Sequence, residues 1–220
     1  MSPMASKDSL MKQQEALAWC GVVGPTGFVA AWATAGTLTK GYSPVQEAIS
    51  HLAAVRAPTR WLMTAGFVCF GVAVPAYSSA LRNSLGGRAW LAAATTGVAT
   101  LGAGGFPLDT SPKTDRVHRG FAVIASSSLA LTPILAAQTL SACGHGWTAA
   151  ASRLIGAMSG GCLVASAFVP AEGLFQRIGL TLSDGWLAAS AVAILRGLRS
   201  RPECDRQRET PKRSGFLAGR

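Results

Sequence analysis

Three short stretches of this sequence carry side chains able to give, take or stabilise charge. Each lies between long runs almost empty of charge. In FPLDTSPKTDRVHRG, Phe106 to Gly120, Asp109 and His118 are the residue types that perform acid–base catalysis. In GYSPVQEAISHLAAVRAPTR, Glu47, Ser50 and His51 fall at i, i+3 and i+4, on one face of a helical turn, where a serine can act as nucleophile beside a base. In VPAEGLFQRIGLTLSDGW, Glu172, Gln176 and Arg177 precede Asp184, a carboxyl inside an apolar run. A carboxylate at membrane depth is costly and reads first as functional, its partner being Arg177 or a histidine of the other stretches. Ser50, Asp109, His118 and Asp184 are thus the catalytic candidates, and Glu47, His51, Glu172, Gln176 and Arg177 the ligand-binding ones.

Each position also has a plainer reading. The Glu47 face suits a solvated interfacial helix, and Asp109 suits a turn. Asp115 falls in the first turn of a helix capped by Ser111-Pro112, where a carboxylate favours the helix dipole. His118 suits contact with lipid headgroups, and Asp184 lies near the interface if the last apolar run begins late.

The elements that must position these residues follow from composition. Hydrophobic residues make up 49% of the 220 and charged residues 14%, against roughly 25% charged in soluble domains. Mean hydropathy is +0.31. The charges are clustered rather than thinned, which excludes an ordinary soluble domain. Six apolar runs approach the ~20 residues that cross a bilayer. They are Ala16 to Leu38, Trp61 to Leu81, Ala89 to Leu108, Phe121 to Leu140, Ala149 to Val169, and Leu174 or Ile178 to Leu195. Lipid offers the backbone no hydrogen bonds, so the expected fold is an all-α bundle of six transmembrane helices. Ser43, Pro44 and Gln46 make a capping-box start for a short interfacial helix between spans 1 and 2, its apolar side being Val45, Ala48, Ile49 and Leu52. The first run is too long for a signal peptide's apolar core and reads as an uncleaved span.

Six spans put both termini on one side. That side carries thirteen cations against seven opposite, so both termini are expected in the cytoplasm of a cell-membrane protein. Eight of the thirteen lie beyond Leu195, seven of them in a basic tail over 197–220 that reads as disordered; residues 1–15 read as an N-terminal tail. A net charge of +10 in this pattern implies anionic lipid headgroups rather than nucleic acid. Cys20, Cys69, Cys143, Cys162 and Cys204 form no disulfide framework or metal motif; no metal site is expected and the cofactor is unknown. TTGVATLGAGG, ASSSLA and GAMSGGCLVASA read as close helix contacts, not nucleotide loops.

YSPVQEAISHLAA, GGFPLDTSPKTDRVHRGFA and GLFQRIGLTLSDGW, in this order, resemble the landmarks of the bacterial multi-pass membrane family catalogued as domain of unknown function 998. The resemblance covers about Ala16 to Leu195. It implies a six-helix membrane bundle and no established activity. Its matching positions are Ser50, Leu52, Pro107, Asp109, His118, Gly173, Gln176 and Arg177, while His51 stands where an acidic residue is frequent.

Odd-numbered connections emerge on one face, so the three polar stretches are expected to share a mouth. Two functions follow. In one, the polar rim binds a lipid or isoprenoid-type molecule, or a partner protein, without catalysis, using Arg56, Arg60, Arg116, Arg119 and Arg177. In the other, the site is an intramembrane enzyme. That enzyme is distantly similar to ceramidase-type hydrolases, though their paired histidines of the last span are missing here. A second version is similar to membrane-bound terpene cyclases, with Asp184 or Asp109 as proton donor and Trp61, Trp186 and Phe106 near the rim. Membrane lipids are the expected partners, and a homo-oligomer remains open.

Overall fold

The structure is a computed structural model and describes residues 3–197. It contains six α-helices: α1 (Pro3–Leu38), α2 (Arg60–Leu85), α3 (Ala89–Gly105), α4 (Pro112–Ala142), α5 (Gly146–Ala165) and α6 (Glu172–Leu195). A 3₁₀ turn, Ile49–Ala53, lies between α1 and α2, and no strand occurs among the described residues. Consecutive helices pack against one another, α6 returns beside α1, and α4 also touches α6, closing the bundle. Five of the helices are long and apolar enough to cross a membrane. The outward faces carry exposed Val23, Val72, Val98, Val123, Leu154 and Val164, the surface a lipid solvent requires. Trp19, Trp61 and Trp147 are exposed as well.

The helix ends depart from expectation in ways the sequence explains. Residues 3–15 are not a free tail: α1 begins at Pro3, and Gln14 bonds Ala80 O (3.0 Å) and Ser84 Oγ (3.1 Å) on α2. No proline or glycine interrupts the chain between Met4 and Cys20, so the first span continues below the apolar run. The basic tail, apart from Gly197, lies outside the described residues. The third helix stops at Gly105, not Leu108, because the residue before Pro107 is pushed out of helical geometry: Phe106 adopts φ −117°, ψ 77°. With 17 residues, α3 spans about 26 Å, the shortest of the six.

Conversely, α4 starts nine residues before its apolar run. Ser111 Oγ accepts from Thr114 N at 3.1 Å with Pro112 at the first helical position, as the sequence suggests. His118 therefore lies on a helix rather than a loop. The last span starts at Glu172, which removes the reading of Asp184 as an interfacial residue: it lies three turns in and is 2% exposed.

Small residues set the helix spacing. A Cβ on Gly97 would overlap Pro75 and lie 3.1 Å from Gly71 O, so α2 and α3 touch backbone to backbone. Gly97→Ala should therefore lower stability by about 1–3 kcal/mol. Gly185→Ala, whose Cβ meets nothing within 4 Å, should leave it unchanged or slightly higher. Thermal unfolding of the two variants in detergent checks this contrast.

Candidate functional site

The first, third and fifth connections meet at one end of the bundle, joined by specific backbone contacts. Val55 N donates to Leu108 O (3.1 Å) and Leu174 N to Val45 O (3.0 Å). The centre of this end is Arg177, 7% exposed. Its Nη1 donates to Pro44 O (2.7 Å), Glu47 O (3.0 Å) and Gly173 O (2.9 Å), and its Nη2 donates to the Tyr42 hydroxyl. The guanidinium also lies 5.3 Å from the Trp32 ring and 5.5 Å from the Tyr42 ring. Burial raises the Tyr42 phenol above its ordinary 10.0, while Arg177, by hydrogen bond and charge, pulls it down. Gln176 assists: its Oε1 accepts from Ile49 N at 2.8 Å.

These contacts replace the expected interfacial helix. Ser43 does begin a turn, accepting from Gln46 N at 3.3 Å, but the reciprocal cap is Glu47 Oε1 on Ser43 N (2.9 Å), not Gln46. One turn later the chain tightens into the 3₁₀ segment. Ala48, Ile49 and Leu52 are buried in the bundle while Val45 is 47% exposed. Arg177 and Gln176 pull this segment inward by its carbonyls and amides, which an amphipathic pattern does not encode.

Beside the clamp, a groove of about 920 Å³ runs between α4 and α5. On α4 it is lined by the stripe His118, Ala122, Ser126, Ala130 and Ile134, four residues apart, so it extends about 24 Å along the helix at 1.5 Å per residue. On α5 the wall is Gly156, Gly160, Gly161 and Val164. At the deep end the helices nearly touch, since a Cβ on Gly156 would lie 2.8 Å from Ala130 O. Toward the mouth they part: a Cβ on Gly160 would have Ala130 Cβ at 3.8 Å, and one on Gly161 would have nothing within 4 Å. The stem is lined by Val123, Leu131 and Leu163, and the mouth by Ser50, His51, Asp109, Asp115, Arg119, Glu172 and Gln176. An inner cavity of about 70 Å³ lies behind this wall and shares Ser50, His118, Ser126 and Gln176 with the groove. That is room for water.

His118 is 3% exposed, and its Nδ1 lies 2.9 Å from both Ala103 O and Phe106 O. Two acceptors require the proton on Nδ1, so the ring braces the C-terminal end of α3, sharing Ala103 O with Phe106 N and supplying a donor to Phe106 O. In the neutral ring Nε2 is then the acceptor, and it has no hydrogen-bond partner among the described residues. Asp109 holds φ 63°, a left-handed conformation that Asp tolerates better than most residues. Its N–H donates to Asp115 Oδ1 at 3.1 Å, which confirms Asp115 as a structural brace and adds that it lines the groove. The carboxylates of Asp109 and Glu172 have no partner among the described residues.

Six of the nine sequence candidates therefore share one space: Ser50, His51, Asp109, His118, Glu172 and Gln176. Three do not. Glu47 caps Ser43, lies 3.8 Å from His51 Nδ1 and faces a shallow outer depression. Arg177 is engaged in the clamp. Asp184 is not paired with Arg177 or any histidine: neither oxygen finds a partner, and it faces away from the groove into the bundle. Among the rim arginines only Arg119 lines the groove; Arg60 stacks on Trp61 and Arg116 bonds Pro112 O. Trp186 is no rim residue, since it is buried and donates to Ser152 Oγ at 2.9 Å. Ser126 and Ser127, read from sequence as helix contacts, line the groove. Their signal was the four-residue stripe starting at His118.

A closed bundle of apolar-faced helices with a polar mouth at one end defines a multi-pass membrane protein. The chain belongs to the family of proteins of unknown function designated DUF998, whose profile matches residues 22–193. The matched stretch takes in all three site connections. No curated protein and no solved structure matches the chain.

The clamp leaves no room for a side chain at Gly173. A Cβ there would overlap Glu47 O and lie 2.7 Å from Pro44 O and 2.8 Å from Arg177 Nη1. Gly173→Ala, and Arg177→Lys, which cannot span three carbonyls and a phenol, should each cost about 2–3 kcal/mol. Glu172→Gln should stay within about 0.5 kcal/mol of the parent. Unfolding in detergent ranks the three.

Proposed function

We propose that the groove between α4 and α5 binds a single membrane amphiphile, a lipid or isoprenoid-type molecule, and that binding rather than catalysis is the role of the site. The observation that carries this reading is the groove's division. Seven polar residues gather at the mouth of a groove about 24 Å long, and small or apolar residues line the stem below them. A polar head and an apolar chain match those two halves, and sites of this kind usually combine apolar walls with few convergent polar groups. The parting of α4 from α5 at Gly160 and Gly161 leaves the stem open sideways, the direction from which a lipid arrives. With both termini cytoplasmic, as the cation balance favours, the mouth faces the extracytoplasmic leaflet.

Leucine at Gly160 fills the stem without touching the mouth. The purified parent should carry one amphiphile per chain by native mass spectrometry after mild detergent extraction, and Gly160→Leu should have lost it. An empty parent, or a variant that keeps the same molecule, rejects the reading.

A second reading, acid–base catalysis on the bound amphiphile, is favoured by one feature. Ser50 Oγ and His118 Nε2 line the same groove and the same inner cavity, and neither has a hydrogen-bond partner among the described residues. A serine and a neutral imidazole lining one space are the residue types of a nucleophile–base pair, here not joined by a hydrogen bond. A fluorophosphonate probe should then label the parent and fail to label Ser50→Ala; an unlabelled parent removes this reading.

A further inference from the structure

The mouth of the groove has a charge opposite to that of the protein as a whole. The chain carries a net +10, yet the groove lining holds three carboxylates, Asp109, Asp115 and Glu172, against one cation, Arg119. Two of these carboxylates, Asp109 and Glu172, have no hydrogen bond or ion pair among the described residues. Acidic side chains alone would be an ordinary wet rim.

His118 makes the difference. It is buried, its ring is pinned by Nδ1 to two carbonyls, and it lines the groove. With Nδ1 the donor, Nε2 of the neutral ring is an acceptor without a hydrogen-bond partner among the described residues. A ligand donor in the groove would give that nitrogen a partner. The groove thus offers acceptors at two depths: a nitrogen at the wall, and carboxylates at the rim.

We infer that the amphiphile's head carries a primary ammonium beside a phosphate, the chemistry of a zwitterionic aminophospholipid, with the ammonium held by His118 Nε2, Asp109 and Glu172 and the phosphate by Arg119. This rests on the proposal that the groove holds an amphiphile, and it names that molecule's head. An N–H donor satisfies both the imidazole nitrogen and the carboxylates, which a trimethylated head cannot do. A purely anionic head would meet three carboxylates and a single arginine. Arg119 is exposed and makes no hydrogen bond among the described residues, so it is free to take a phosphate oxygen, where a guanidinium binds well.

The full chain reconstituted into nanodiscs that mix phosphatidylethanolamine, phosphatidylcholine and phosphatidylglycerol of one acyl composition tests this. Lipid retained by each chain is read by native mass spectrometry. Ethanolamine lipid should be retained about tenfold over choline lipid, the worth of one charge-assisted hydrogen bond. Asp109→Asn and Glu172→Gln together, at exposed sites that stabilise nothing else, should bring that ratio near one. Arg119→Gln should weaken ethanolamine lipid but not a long-chain primary amine that lacks phosphate. Equal retention of choline lipid, preference for the glycerol lipid, or an unchanged ratio in the double variant overturns the inference while leaving an occupied groove. A long-chain amine retained as well as ethanolamine lipid overturns the phosphate half. If no lipid of any class is retained, and Gly160→Leu behaves like the parent, the groove proposal has failed and not merely the identity of the head.

Discussion

Arg177 lies among three carbonyl oxygens, a phenol and two aromatic faces, with no carboxylate to neutralise it. A lone charge kept from water is unfavourable unless its surroundings are pre-oriented dipoles, so the surroundings are not free to vary. Pro44 and Glu47 must present their carbonyls inward, Gly173 must lack a side chain, and Tyr42 must fold back over the guanidinium. These demands draw the first connection down onto the start of α6 and seat Ile49 and Leu52 in the bundle. Ser50 and Gln176, neighbours of the clamped residues, thereby become the wall of the groove. The site is shaped by an arginine that does not touch it.

A second constraint comes from the end of α3. Pro107 stops that helix, and its final carbonyls lose the donors a longer helix would supply. His118, one helix later, adds a donor to Ala103 O and Phe106 O with one ring nitrogen and also lines the groove. The same side chain is thus structural on one edge and chemically open on the other. Asp109 repeats the pattern on a smaller scale: its left-handed backbone and its N–H bond to Asp115 shape the turn, while its carboxylate stays unengaged.

Glycine is used in two opposed ways within one helix. At Gly156 its absence of a side chain lets α4 and α5 approach until backbone meets backbone, whereas at Gly160 and Gly161 it leaves a gap. Converging below and parting above, the two helices make a wedge-shaped groove closed at its deep end. Asp184 belongs to neither arrangement. It lies with Ser183 in the bundle interior, neither side chain has a hydrogen-bond partner among the described residues, and this carboxyl is separate from the groove.

How much of this was legible beforehand depends on the range of the forces involved. Six spans, the Ser111 cap and the gathering of odd-numbered connections follow from run lengths, local capping chemistry and alternation across a bilayer, all local or topological properties of the chain. The candidates Ser50, Asp109, His118 and Gln176 were readable because polar residues are rare in such a sequence and therefore conspicuous. Their division of labour was not. Nothing near Arg177 in sequence says that two of its three carbonyl partners are 130 or more residues away, and Asp184, seven residues on, looked like its natural mate by helical spacing alone. The interfacial helix expected over Val45 to Leu52 failed for the same reason: amphipathic periodicity reports which side is apolar, not whether a distant guanidinium will pull the segment inward. The sequence by itself determined the solvent, the number of crossings and the end at which polar groups collect, since burial and backbone satisfaction in lipid act on every residue independently. Only the tertiary structure decided which polar groups are consumed in holding the fold and which remain free, because that depends on donors and acceptors meeting at hydrogen-bond distance from opposite ends of the chain.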